Sequence, residues 1–560
     1  MSLAVQSDRT MSASDRPPAD SKMSISYRFS GAILAFIASL GLAALACTRS
    51  DVPAPQIVGL AAEAAAPDPA ELAPEPDDLV VVSDPAETTP ELASTTEPPT
   101  SVPEATAAPL EPEPLVSPTY PPTPTMAAEN STETILYRAR AGDVLRSVAL
   151  RFGVLPSDIV SDSQLPPQNE LLLPGQNLFV PRRLGPTGPA DELIPDSELV
   201  YSPHAAGFDI HAFVEAQGGY LSQYEEIVGK RSVSGAEVVA LAARDHSVNP
   251  RLLLALIEYH SGWVTDSTKP TANELKYPLG HEAPDARGLY RQLTWLANEL
   301  GTGFYGWRAG TLTEIVFPDN SIVRLAPDLN AGTIGLQYYF SLRGAGRSWA
   351  EALSPGGVIE TYQQLFGDPF DYTHPLYEAG LDQPELILPF FEGRIWALTG
   401  GPHGAWERES AWAAVDFAPS SLETGCAVSD DWALAAAPGV VARTGEGVVV
   451  LDLDGDGEEQ TGWNLLYLHV SNKQVQEGDF VETGDLIGRP SCEGGKASGT
   501  HLHFARKYNG EWILADGPLP FNLSGWVAQA GLEPYQGALI KGDEVVLACT
   551  CASRETNISR

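Results

Sequence analysis

The sequence predicts a multidomain chain with a small βααβ module, a mainly α-helical middle domain and a C-terminal antiparallel β-sheet domain. Three observations carry this. First, 560 residues are too many for one core. Second, the texture changes along the chain: prolines and acids crowd residues 48–134, helical periodicity dominates 205–380, and short apolar runs between Gly, Asp and Asn turns dominate from about 386. Third, the chain has only ten histidines, yet two fall in His501-Leu502-His503. In a strand, residues i and i+2 share a face, so two imidazoles converge on one point, as a shared metal site requires.

The net charge is −39, from 73 acidic and 34 basic residues, and there is no basic patch; nucleic acid is excluded as a partner. Lys22 and Arg28 precede an uncharged run from Gly31 to Ala46. It is shorter than the roughly 20 residues of a membrane span and suits the apolar core of a secretory signal, so residues 1–46 read as a signal peptide, with Met23 as an alternative start. The run ends Ala43-Ala44-Leu45-Ala46-Cys47, which resembles a bacterial lipoprotein signal with Ala44 where Leu is commonest. That resemblance implies lipidation at Cys47 and a membrane anchor. Ala44-Leu45-Ala46 also fits an ordinary cleavage site, leaving plain secretion and an uncleaved anchor as alternatives. Of five cysteines, lipidating Cys47 leaves an even four, Cys426, Cys492, Cys549 and Cys551, free to pair in three ways in an oxidising compartment. Residues 47–134 read as a disordered tether: 48–134 hold 18 of the 47 prolines and 16 acidic residues against one Arg.

Residues 135–183 read as one small domain. Tyr137-Arg138-Ala139 is a strand, Ala141-Gly142-Asp143 a turn, and Leu145, Val148, Ala149 and Phe152 have helical spacing. Leu155–Ile159 suggests a second helix, and Pro174-Gly175-Gln176 turns into a second strand. The pattern resembles a LysM module, which implies a βααβ fold and binding of peptidoglycan or chitin glycan. A linker, 184–204, follows.

Residues 205–380 read as helical, centred on Asn249-Pro250 and the apolar run Leu252–Ile257. This helix and Asp328–Thr333 resemble lysozyme-like lytic transglycosylases, whose general-acid Glu directly precedes a Ser. Here that position, before Ser261, is His260. Glu258 lies about 200° around the helix from it and cannot substitute. A glycosidase acid must be a carboxyl group, so an inactive, glycan-holding or structural domain is expected.

From 386 to 545 the strand candidates are Val440–Ala442, Gly447–Leu451 and Asn464–His469. Val415-Asp416-Phe417, Tyr467-Leu468-His469, Gln476–Asp479 through Leu486–Gly488, and Gly499–Phe504 occur in an order that resembles the lysostaphin and β-lytic type zinc endopeptidases. The resemblance implies Asp416 and His503 as zinc ligands and His469 and His501 as catalytic partners. In lysostaphin-like members the first His ligand lies four residues before the Asp, where this chain has Trp412. The β-lytic branch places it further upstream behind a Gly-rich loop; His403, in Gly400-Gly401-Pro402-His403-Gly404, fits that variant. Three protein ligands leave a fourth position for water, as in a catalytic site. No H-E-x-x-H helix is present.

Asp452, Asp454 and Asp456 alternate before Gly457 and resemble a calcium loop, although the twelfth position, which needs Glu, is Trp463. Residues 546–560 read as a tail. The expected function is a cell-envelope lipoprotein that hydrolyses peptidoglycan peptides with zinc-activated water. The competing reading is a non-enzymatic peptidoglycan-binding protein, or a regulator of other wall hydrolases, with a vestigial metal site.

Overall fold

The small module forms around a three-stranded sheet in the order Thr134–Arg138, Asn177–Pro181, Val160–Ser161. The first pair is antiparallel, with Tyr137 opposite Leu178. The helix Leu145–Phe152 buries Leu145, Val148, Ala149 and Phe152 on this sheet and stops at Gly153, whose φ of 63° is left-handed. The second helix expected over Leu155–Ile159 is a single 3₁₀ turn, Pro156–Asp158, because Leu155 and Ile159 are extended on either side. The computed structural model describes residues 133–407, 410–420 and 425–560. The expected signal peptide, Cys47 and nearly all of the tether lie outside the described residues. Among the described residues no helix is long and apolar enough to cross a membrane.

The middle region is helical with two small hairpins, Glu225–Val228 with Arg231–Ser234 and Glu314–Val316 with Ile322–Arg324. Helix Gly235–His246 starts on a reciprocal Ser234–Glu237 capping box. Helix Pro250–Ser261 is capped by Asn249, begins on Pro250 and buries every residue from Pro250 to Ile257. Helices Leu289–Ala309 and Ala331–Ser341 cross where a Cβ on Gly303 would stand 2.8 Å from Gly335 Cα, so only glycine permits the approach. The segment 184–204, expected as linker, is partly core: Leu193, Ile194, Leu199 and Val200 are buried in the helical cluster. Its Leu and Ile side chains have more to gain from burial than a solvated linker allows.

The C-terminal region is built on one long antiparallel sheet, flanked by a three-stranded and a four-stranded one. The strands of the long sheet run Phe480–Val481, Gly439–Gly445, Val448–Asp452, Trp463–Leu468, Leu502–Tyr508, Ala414–Pro419, Trp396–His403 and Asn557–Ile558. Residues 546–560, expected as a tail, are not one: Asn557 and Ile558 pair with Ala397 and Trp396, closing the sheet edge beside the His403 strand. The Gly537–Lys541 and Glu544–Leu547 hairpin packs nearby, and Gly401 N–H donates to Tyr535 O at 2.9 Å.

All described residues fall in one unit. Arg308 joins its three regions. Its guanidinium donates to Ala141 O of the small module, pairs with Asp196 of the helical region at 3.2 Å and with Glu511 of the sheet at 3.0 Å. Glu511 also accepts from Tyr377 at 2.8 Å.

Candidate metal centre

Strand register builds the site. His503 lies directly opposite Asp416 on the neighbouring strand, and Asp416 lies opposite Gly400 on the next. The His403 strand shifts register twice, between Leu398 and Gly400 and between Gly400 and His403. Bulges of this kind re-aim side chains; here they turn His403 toward Asp416. Gly400 is obligatory, because a Cβ there would stand 2.7 Å from Asp416 Oδ2.

The three side chains converge. His403 Nε2 is 3.0 Å from His503 Nδ1 and 3.2 Å from Asp416 Oδ1, and His503 Nδ1 is 3.1 Å from the same oxygen. All three residues are buried. Their remaining ring nitrogens fix the tautomers. His403 Nδ1 donates to Gly401 O at 2.8 Å and His503 Nε2 to Ala405 O at 2.9 Å. A carbonyl only accepts, so in the neutral rings the nitrogens facing Asp416 are the lone-pair ones. Three electron-pair donors therefore point at one another in a buried site, an arrangement that calls for a cation. Their spacing is close to the roughly 3.3 Å edge of a tetrahedron with 2.0–2.1 Å bonds.

The electrostatics follow. Burial alone would push His403 down, but the Asp416 carboxylate reverses this and holds it above its ordinary pKa. Burial disfavours the Asp416 charge as well, yet the neighbouring His403, His503 and His501 hold it well below the usual carboxylate range. His503 is lowered, chiefly by burial.

His469 and His501 stand beside this trio, with ring centroids 4.6 Å apart. His501 Nε2 is 3.7 Å from Asp416 Oδ2 while its Nδ1 donates to Gly499 O at 2.8 Å. His469 Nδ1 donates to Glu493 O at 2.8 Å, and burial, followed by the two neighbouring histidines, pushes its pKa down to about 4. In its neutral form each ring keeps an Nε2 lone pair. His469 has a left-handed φ of 66°, held by Ser491, whose N–H and hydroxyl donate to the His469 carbonyl at 2.7 and 3.0 Å. Strain of this sort collects at functional positions. The disulfide Cys426–Cys492 ties down the loop beside Glu493; Cys549 pairs with Cys551.

The five residues that the peptidase resemblance implied, His403, Asp416, His469, His501 and His503, are thus brought together. Sequence reading missed Tyr535, whose ring stacks on His403 at 4.1 Å and 24°. It also missed the carbonyls of Gly401, Ala405, Glu493 and Gly499 that orient the rings. Gly400-Gly401 carried a signal of close backbone approach; Tyr535 carried none. Asp452, Asp454 and Asp456 cluster separately. Asp452 accepts from the N–H groups of Asp454 and Gly457, and Asp456 from Glu458 N–H and the Thr461 hydroxyl, so the loop braces itself.

In the helical region His260 Nε2 shares a 2.8 Å hydrogen bond with the Tyr339 hydroxyl. Glu258 is committed to the following loop, accepting from Val264 and Thr265 N–H at 3.0 and 3.1 Å.

Comparison with known proteins divides the chain the same way. Residues 137–181 match the LysM domain, 192–378 the LasA N-terminal domain, and 425–514 the peptidase family M23. The last match takes in His469, His501 and His503 and begins after His403 and Asp416. Over 344 residues the chain is 25% identical to Protease LasA of Pseudomonas aeruginosa strain UCBPP-PA14, covering 58% of this chain and 75% of that protein. Among solved structures, an M23 metalloprotease from the deep sea, pseudoalterin, is 24% identical, covering 32% of this chain and all of that one, with a TM-score of 0.26. The catalytic domain of lysostaphin from Staphylococcus simulans is 23% identical, covering 22% of this chain and 89% of that one, with a TM-score of 0.16. The helical region, compared above with lysozyme-like transglycosylases, is of the LasA N-terminal kind. The chain is a multidomain protein that carries a LysM domain, a LasA-like N-terminal domain and a peptidase family M23 domain.

Proposed function

We propose that this protein is a zinc endopeptidase of the cell envelope that hydrolyses peptide bonds of peptidoglycan. In this reading lipidated Cys47 anchors the chain to the membrane, the Pro-rich tether reaches outward and the LysM domain holds glycan. Holding a catalyst beside its polymer raises the effective concentration of substrate. The single observation that carries the reading is the convergence of His403 Nε2, His503 Nδ1 and Asp416 Oδ1 at 3.0–3.2 Å, all as lone-pair donors.

Two neutral nitrogens and one carboxylate suit zinc. Zinc, when bound, would polarise the scissile carbonyl and acidify a water. The chain's own residues do the rest. His501 Nε2 takes the water proton, its ring held by the Gly499 carbonyl. His501 then returns that proton to the departing amine, and His469, held by Glu493 O, supplies a second neutral imidazole beside it. Tyr535 and the Ala405 and Gly401 carbonyls keep the ligand rings in place.

The test is metal content and digestion together. Purified full-length protein should hold one zinc and solubilise peptidoglycan. His503→Ala should lose both properties. A protein that takes up no zinc and releases no wall peptides would overturn the reading.

A further inference from the structure

A cleft of about 640 Å³ opens beside the catalytic histidines, between the sheet and the helical region. On the sheet side it is lined by Trp406, Glu446 and Glu493. Glu493 carries the carbonyl that orients His469, and a Cβ on Gly495, also in the lining, would stand 3.4 Å from His469 Cε1. Arg244, Asp245 and Tyr290, all from the helical region, also line it. That region borders the cleft without filling it.

The helical wall is fixed by a buried ionic network that crosses between the domains. Asp245 pairs with Arg244 at 3.3 Å and with Arg443 of the sheet at 3.5 Å; Glu459 accepts from Arg443 at 3.2 Å and from Lys507 at 2.9 Å. These pairs join three cations to two anions, which leaves one positive charge over. Arg443 and Lys507 are only 13% and 5% exposed, whereas Arg244 is 35% exposed and faces the cleft. The surplus charge is therefore presented to whatever enters. The same cleft holds two carboxylates: Glu446, whose contact with Lys230 at 3.8 Å joins two largely exposed groups and is worth little, and Glu493, which accepts from Ser471.

We infer that the helical domain forms one wall of the peptide-binding cleft, with Arg244 taking a substrate carboxylate and the Glu446 side taking a substrate ammonium group. The ligand class is a peptide that carries both charges close to the scissile bond, and an uncharged glycine run is disfavoured. This rests on the peptidase reading for its substrate and on the cleft alone for its binding.

The experiment separates the two. The full chain bearing His501→Ala, which leaves the cleft intact, is titrated calorimetrically with N-acetyl-Gly-Lys-Gly-Gly-Gly as the free acid, with its C-terminal amide, with its Nε-acetyl-lysine analogue and with N-acetyl-pentaglycine amide. The free acid should bind at least about tenfold more tightly than the amide, the scale of one charge-assisted hydrogen bond. Arg244→Gln should erase that ratio, and Glu446→Gln should erase the preference for the free amine. Should Arg244→Gln fail to fold, Arg244→Lys must keep the carboxylate preference, and the exposed Glu446→Gln still tests the other wall. Equal binding of all four peptides, or ratios untouched by these variants, overturns the inference. Charge-selective binding by a protein whose unmutated form digests no peptidoglycan keeps the cleft and overturns the peptidase.

Discussion

The sheet and the helical region both bury histidines, and they do opposite things with them. In the sheet, His403 and His503 share one carboxylate, Asp416, and their outer nitrogens are tied to backbone carbonyls. In the helical region, buried His246 and half-buried His260 have no carboxylate partner among the described residues. Burial lowers His246 to about 4, and burial followed by Arg343 lowers His260 to about 3. Burial by itself makes a histidine a neutral packing group. Burial around a shared anion makes a centre that needs a cation. The difference also accounts for the two resemblances read from sequence. The peptidase motifs come together as a site, whereas at the position of a transglycosylase acid the helical region has an imidazole hydrogen-bonded to a tyrosine.

The largest effect should come from making the sheet resemble the helical region. Asp416→Asn keeps the shape and removes the shared charge; metal binding and activity should both disappear, read by metal analysis and peptidoglycan turbidity. His501→Ala keeps all three ligands, so the protein should retain its metal while turnover falls by about 10²–10⁴-fold, the usual worth of a general acid–base group. A variant that lost the metal as well would show that His501 is a ligand. Tyr535→Ala removes only the ring stacked on His403 and should weaken metal affinity by about 10–100-fold, the range for groups that orient a ligand; chelator competition measures it.

The helical region should respond to acid instead. For His246 the folded pKa of about 4 lies below the ordinary 6.5, so the unfolded chain takes up protons first as the pH falls. Its contribution is whole above about pH 6.5 and declines toward pH 4, by about 3 kcal/mol in total. Thermal melts at pH 7.5 and 5 should show this loss, and His246→Phe should reduce it. An unchanged difference between the two melts would mean that the acid-sensitive groups lie elsewhere.

Much of the site was legible because its pieces are local strings. His501 and His503 alternate on a strand, and the segments around Asp416 and His469 read as strands of the same domain. His403 was the harder residue. Its place depends on two register shifts that no spacing rule reveals, and Trp412 stands where a simpler spacing would put it. Tyr535 and Arg244 were not legible at all, since one arrives from a loop more than a hundred residues away and the other from a different domain. The tail and the linker were misjudged for a related reason: Ile558 is a single apolar residue in a polar stretch, Leu193-Ile194 and Leu199-Val200 are short apolar pairs without a period, and only a neighbouring surface makes them core.

What the sequence by itself determined is the list of parts: helices from caps and periodicity, strands from alternation, and paired imidazoles from a two-residue spacing. These depend on near neighbours along the chain, whose geometry the backbone fixes. The tertiary structure decided which parts meet. Cross-strand register set His403 against Asp416, and domain docking brought Arg244 and Glu446 to one cleft. Such contacts are chosen by the packing of the whole, where one shifted residue turns a side chain to the other face.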